Sequence, residues 1–239
     1  MNRGTNLDGP ILSIWAHPDD ETYLAGGLMA AAADAGTRVV CVSATAGEHG
    51  TPDPVAWPPE RLGRLRRWDS AAAMSVLGVD DHRFLGFTDG GLATVDPATG
   101  AAAVQALIEE VAPATILTFA PHGITFHPDH ITVSRWVTDA WCRTGCRARL
   151  LHAVPEAAHH ADFAEDYERW GIYMSDERPV PVAADDLAVH LRLEGALLDR
   201  KLAALHAMAS QTRPAVELMG EERYAEQAAV EAFIEVVPS

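Results

Sequence analysis

The sequence predicts an α/β protein with a Rossmann-like, mostly parallel sheet covered by helices on both faces. Two observations carry this expectation. Short apolar runs rich in β-branched residues alternate with longer Ala-rich or amphipathic segments, the order of strands and helices in a parallel sheet. Those runs are also nearly continuous in their apolar character, as strands buried on both faces require. At 239 residues the chain is long enough for one such domain with a sizeable core.

Ile11 to Trp15 reads as the first strand, and the Ala-rich segment from Glu21 to Ala35 as a helix stopped by Gly36. Arg38 to Thr45 is the second strand, followed by a Pro-rich loop from Gly47 to Pro59. Glu60 to Leu77 forms a helix stopped by Gly78, His82 to Phe87 a third strand, and Pro97 to Val111 another helix. Thr115 to Ala120 is the fourth strand. Pro128 suits the first position of the next helix, which puts His127 at its cap and His130 in its first turn. Arg149 to Val154 is the fifth strand. Beyond Pro155 the pattern weakens into a helix over His159 to Trp170, a strand over Leu187 to Leu193, one long helix over Glu194 to Ser210 and a helical stretch from Glu221. A single domain over residues 1–239 is expected, with a Rossmann-like core over 1–155 and a C-terminal part over 156–239 capping the site.

Hydrophobic residues make up 48% and charged residues 22% of the chain, which is ordinary for a soluble globular protein. Lys and Arg number 18 against 34 Asp and Glu, a formal net charge of −16 that disfavours nucleic acid or an anionic membrane as partner. No leader-like segment and no apolar run long enough to span a bilayer stands out. Three cysteines, an odd number, argue against a disulfide framework. A cytoplasmic protein is expected, with a homo-oligomer left open.

Function is concentrated in two short runs, Ala16-His17-Pro18-Asp19-Asp20-Glu21 and His127-Pro128-Asp129-His130. Each joins imidazoles to carboxylates across a proline where a strand ends and a helix begins, the crevice in which α/β sheets bind ligands. His17, one of the two aspartates and His130 supply two nitrogens and an oxygen, leaving a position open for water, which implies a catalytic metal site. With Asp20 as the ligand, Asp19 is left as general base. His127 then stabilises the oxyanion, and Asp129 orients a ring by accepting its N–H. Helix caps and turns explain one such run, but hardly two at corresponding strand ends.

These runs, with Gly47-Glu48-x-Gly50 and with Val133-Ser134-Arg135-Trp136 after the second, resemble the LmbE-like, PIG-L family of metal-dependent N-deacetylases. The resemblance covers nearly the whole chain. It implies a zinc-dependent hydrolase, with Fe²⁺ or another divalent ion as the alternative. The implied substrate is a small N-acylated amino sugar or glucosamine-containing conjugate, whose N-acyl group, commonly acetyl, is removed. The ligands it implies are His17, Asp20 and His130, with Asp19 as base and His127 near the oxyanion. Arg66 and Asp89 match family substrate contacts, and Glu48 and Phe126 border the site. Phe126 stands where the family has glycine, and Met208 where it has histidine, although Ser210 and Gln211 match. These two changes imply a substrate bulkier or less polar than plain N-acetylglucosamine. Two histidines and a carboxylate also describe the facial triad of non-haem Fe(II) enzymes, and a non-catalytic sugar- or metal-binding protein is a third class, against which the retained Asp19 argues.

Overall fold

The computed structural model describes residues 2–4 and 7–238. Its first half alternates β1 (Ile11–Trp15), α1 (Asp20–Asp34), β2 (Val39–Ser43), α2 (Pro59–Leu77), β3 (Asp81–Phe84) and α3 (Pro97–Val111). Then come β4 (Thr115–Phe119), α4 (Pro128–Arg143), β5 (Arg149–Ala153), α5 (Ala157–Trp170) and β6 (Val189–Arg192). Three helices, α6 (Gly195–Ala207), α7 (Ala209–Met219) and α8 (Glu221–Ala228), precede the last strand, β7 (Val230–Glu235). All seven strands form one sheet in the order β3-β2-β1-β4-β5-β7-β6. The first five in that order are parallel, and β7 runs antiparallel to both β5 and β6.

This order explains the helix layers. The chain winds outward from β1 to β3, then crosses back to β4 and continues to β5. Right-handed crossovers therefore place α1 and α2 on one face and α3 and α4 on the other. Consistently, α1, α2 and α6 pack together, and α3 packs on α4. Between β1 and β4 the winding reverses, and this topological switch point opens a crevice beyond the strand ends. Both motifs lie there, one after β1 and one before α4.

Three expectations need correction. The third strand ends at Phe84 rather than Phe87, because Gly86 turns the chain with φ of 81°. The long helix breaks at Met208 into α6 and α7, where Thr212 Oγ1 donates to the carbonyl of Leu205. The final segment is helical only to Ala228 and then becomes β7, so part of the expected cap completes the sheet.

Glu231 on β7 and Lys201 on α6 are both fully buried and meet at 2.7 Å. Glu231 also accepts from the backbone N–H groups of Gly27 and Leu28, and Lys201 Nζ donates to the carbonyl of Tyr23. The pair thereby ties β7 and α6 to the middle of α1. Removing one partner strands the other as an unpaired buried charge. Lys201→Met should therefore lower stability by about 3–5 kcal/mol, read as a shifted midpoint in urea unfolding. A shift equivalent to less than about 1 kcal/mol would show that the pair does not hold the C-terminal elements. Among the described residues no helix is long and apolar enough to cross a membrane.

Candidate metal centre and active site

The first motif turns sharply out of β1 into α1. Asp19, the N-cap of α1, has φ of 114° and ψ of −37°, a conformation that side-chain-bearing residues rarely adopt. Glu21 holds it there, its two carboxylate oxygens accepting from the Asp19 N–H at 3.1 and 3.3 Å. Glu21 is fully buried, and burial pushes its carboxyl up to about 8. Asp20 accepts the backbone N–H of His17 at 2.8 Å, so the loop aims its own carboxylate.

Hydrogen-bond partners assign the ring protons of the histidines. His130 Nδ1 lies 3.0 Å from the carbonyl of Gly123, which only accepts, so Nδ1 carries the proton and Nε2 is bare. His17 Nε2 lies 3.0 Å from Asp89 Oδ1 and 3.4 Å from Asp129 Oδ2, so Nε2 carries the proton and Nδ1 is bare. The two bare nitrogens face each other at 3.2 Å. Asp20 Oδ2 stands 3.4 Å from His17 Nδ1, and its Oδ1 stands 3.3 Å from His130 Nε2. Ligands around a tetrahedral zinc, with Zn–N of about 2.0–2.1 Å, are separated by about 3.3–3.4 Å, and the two ring nitrogens and the Asp20 carboxylate lie close to that spacing.

Facing lone pairs repel unless a proton or a metal cation sits between them. Burial disfavours charging the His17 ring, but Asp129, Asp20 and Asp89 outweigh it and raise its pKa well above the usual value. The same surroundings would favour a metal ion. Burial brings His130 down to about 4, so its ring is neutral. For Asp20 burial acts upward, but His130 and His17 prevail and bring it to about 2, which keeps it an anion. His130 and Asp20 are thus already in the forms that ligate metals, and His17 reaches its ligating form by giving up the proton that an ion would replace.

His127 belongs to the same cluster, with its ring centroid 4.7 Å from that of His17 and 4.9 Å from that of His130. Its Nδ1 accepts the N–H of Asp129 and caps α4. The ring proton is therefore on Nε2, and burial lowers the pKa, so His127 is a neutral donor. Asp129 is fully buried and also accepts from the N–H groups of Gly90 and Leu92, which fixes the Asp89 loop against α4.

Of the residues expected at substrate, Arg66, Asp89 and Glu48 are hydrogen-bonded within the protein around the first motif. Arg66 is buried, donating to the carbonyls of Gly47 and Pro18 and to Asp19 Oδ2 at 3.2 Å. A Cβ at Gly47, whose φ is 62°, would overlap that guanidinium. Asp89 is 8% exposed, with one oxygen on His17 and the other on the His49 N–H. Glu48 stands behind it, accepting the Asp89 N–H at 3.0 Å. Phe126 has φ of 60° and its ring lies 5.9 Å from that of His122. The glycine usual there in the family is thus explained by backbone, since the left-handed region suits glycine. Met208 is buried in the core at the α6–α7 junction. Asp69 of α2 accepts from the Ser210 hydroxyl, linking α2 to α7.

Asp19, Asp20 and His130 open onto a cavity of about 260 Å³ that extends toward α5, β7 and α8. His159 and His160 of α5 line it. Neither Phe126 nor Met208 is among its lining residues.

A family model described as PIG-L, GlcNAc-PI de-N-acetylase, matches residues 12–141. The chain is 34% identical over 214 residues to a 1D-myo-inositol 2-acetamido-2-deoxy-alpha-D-glucopyranoside deacetylase of Kineococcus radiotolerans, covering 76% of this chain and 57% of that protein. A protein of the same description from Acidothermus cellulolyticus is 34% identical over 234 residues, covering 84% of this chain and 79% of its own length. Among solved structures, the conserved protein TT1542 of Thermus thermophilus superposes with a TM-score of 0.64 at 25% identity, over 98% of this chain and 96% of that one.

Proposed function

Because this chain belongs to the GlcNAc-PI de-N-acetylase (PIG-L) family, we propose that it is a metal-dependent hydrolase of the N-acyl group of an N-acylated amino sugar or glucosamine-containing conjugate. The observation that supports this reading best is the convergence of His17 Nδ1, His130 Nε2 and the Asp20 carboxylate at ligand spacing, with a carboxylate and a neutral imidazole donor beside them.

Those three groups would hold the ion, and zinc fits two nitrogens and one oxygen, as Fe²⁺ also does. A divalent ion bound there supplies Lewis-acid polarisation of the amide carbonyl and brings the pKa of water from 15.7 to about 7. Asp19 takes the proton from the attacking water. Burial pushes its carboxyl up to about 6 against the pull of Arg66, so it is basic enough to accept a proton and still largely ionised at neutral pH. His127 presents its Nε2–H to the carbonyl oxygen as negative charge develops. When the C–N bond breaks, Asp19 returns its proton to the departing nitrogen, leaving a carboxylic acid and a free amine. Asp89 and Asp129 act through His17, holding its ring with Nδ1 forward. Incubating zinc-loaded protein with N-acylglucosaminides should release free amine and carboxylate in equal amounts, and failure on every acylated sugar tried would reject the reading.

Arg66 is a positioning residue in this mechanism. Arg66→Ala leaves the carbonyls of Gly47 and Pro18 buried without donors, at about 1–3 kcal/mol each, and frees Asp19 to move. The expected result is a fall in kcat with little change in KM, together with a lower unfolding midpoint. A raised KM at unchanged kcat would instead make Arg66 a substrate contact.

A further inference from the structure

We propose that the cavity beside the metal ligands receives an acyl chain several carbons longer than acetyl, so that the protein is a medium-chain N-deacylase; this rests on the hydrolase reading above. The cavity begins at Asp19, Asp20 and His130, where the scissile carbonyl must sit, and runs between Tyr23, Phe119, Tyr167, Trp170 and Ile172. Among the described residues no Lys or Arg lines it, so no permanently charged cationic side chain is there to pair with a phosphate or a carboxylate.

Its polar groups are already engaged with one another. Both oxygens of Glu156 accept the N–H groups of Ala158 and His159. His159 Nε2 meets the carbonyl of Gln227, His160 meets the Tyr173 hydroxyl at 2.9 Å, and the hydroxyls of Tyr23 and Tyr224 bond to each other. Gln227 Oε1 alone among these is buried without a partner. A hexosamine placed here would lose water from several hydroxyls where most polar side chains are already hydrogen-bonded, and each unpaired polar group is costly. An alkyl chain needs no such partners. The sugar then lies on the other side of the carbonyl, toward His127, which does not line the cavity. A methylene is about the size of a water molecule, so a cavity of about 260 Å³ has room for a chain of several carbons.

Each methylene moved from water into such a site changes affinity by about fourfold. Zinc-loaded protein should therefore hydrolyse N-hexanoylglucosamine with kcat/KM at least about tenfold above that for N-acetylglucosamine. Ile172→Trp, which fills the cavity from its rim, should collapse that ratio toward one. Binding is read separately in Asp19→Asn protein, by titrating tryptophan fluorescence with each compound, with Trp170→Phe as the control for the reporting ring. Kd should fall by at least about tenfold from the acetyl to the hexanoyl compound. Equal or weaker binding of the hexanoyl compound, or an acetyl preference in turnover, would overturn the proposal and leave the hydrolase reading standing. Tighter hexanoyl binding with no hydrolysis of either compound would reject the hydrolase reading and retain the chain site.

Discussion

His130→Ala should empty the metal site and leave the fold standing. His130 contributes one of three converging ligand atoms. A residue that only orients a ligand is commonly worth 10–100-fold in metal affinity, so loss of a ligand itself should exceed about a hundredfold. Its ring also stacks on Phe119 at 4.2 Å and donates to the carbonyl of Gly123, so some stability is lost as well. The two effects separate experimentally. Metal content by mass spectrometry should fall from one equivalent to near zero, while circular dichroism and the metal-free unfolding midpoint change little. In the unsubstituted protein, one equivalent of zinc should raise the melting temperature, because an ion that binds only the folded state stabilises it by mass action. The variant should show no such rise. Full occupancy in His130→Ala would remove this histidine from the ligand set.

Asp19→Asn should retain the metal and lose turnover by about a hundredfold to ten-thousandfold, the range that general-base catalysis contributes. The substitution keeps the size of the side chain and its contact with Arg66, but an amide cannot take the proton of water at neutral pH. The strained backbone of Asp19 gives this test a structural counterpart. Glu21 accepts the Asp19 N–H and holds φ at 114°, so Glu21→Ala should reduce kcat without touching any ligand. Near-normal turnover in Asp19→Asn with metal retained would assign the base elsewhere.

The five parallel strands and both motifs are legible in the sequence because they rest on local signals. Buried strands are continuous apolar runs, and His-Pro-Asp at a strand-to-helix junction is visible without tertiary information. What escapes depends on long-range pairing. β7 does not read as a strand because Glu231 interrupts its buried face, and that burial makes sense only with Lys201, thirty residues earlier in the chain, fully buried beside it. Arg66 and Asp89 are expected at substrate from the resemblance alone, and their hydrogen-bond partners within the protein are not visible in the sequence. Their partners, the Pro18 carbonyl and His17, lie far away in sequence. An apolar site is expected from Phe126 and Met208, yet the cavity is built by α5, α8 and β7, the segments with the weakest pattern. Glu21 stands inside a motif with no role visible from sequence, since nothing local distinguishes an acid that caps a helix from one that holds its neighbour in strain.

Metal dependence is tested most directly by a single titration. Protein stripped with a chelator, then titrated with zinc, is assayed for amine release from an N-acylglucosamine at each point. Activity should be absent from the stripped protein and rise linearly to a plateau at one equivalent of metal per chain. Undiminished hydrolysis by protein shown to be metal-free would contradict a metal-dependent hydrolase, as a plateau requiring two equivalents would contradict the single site.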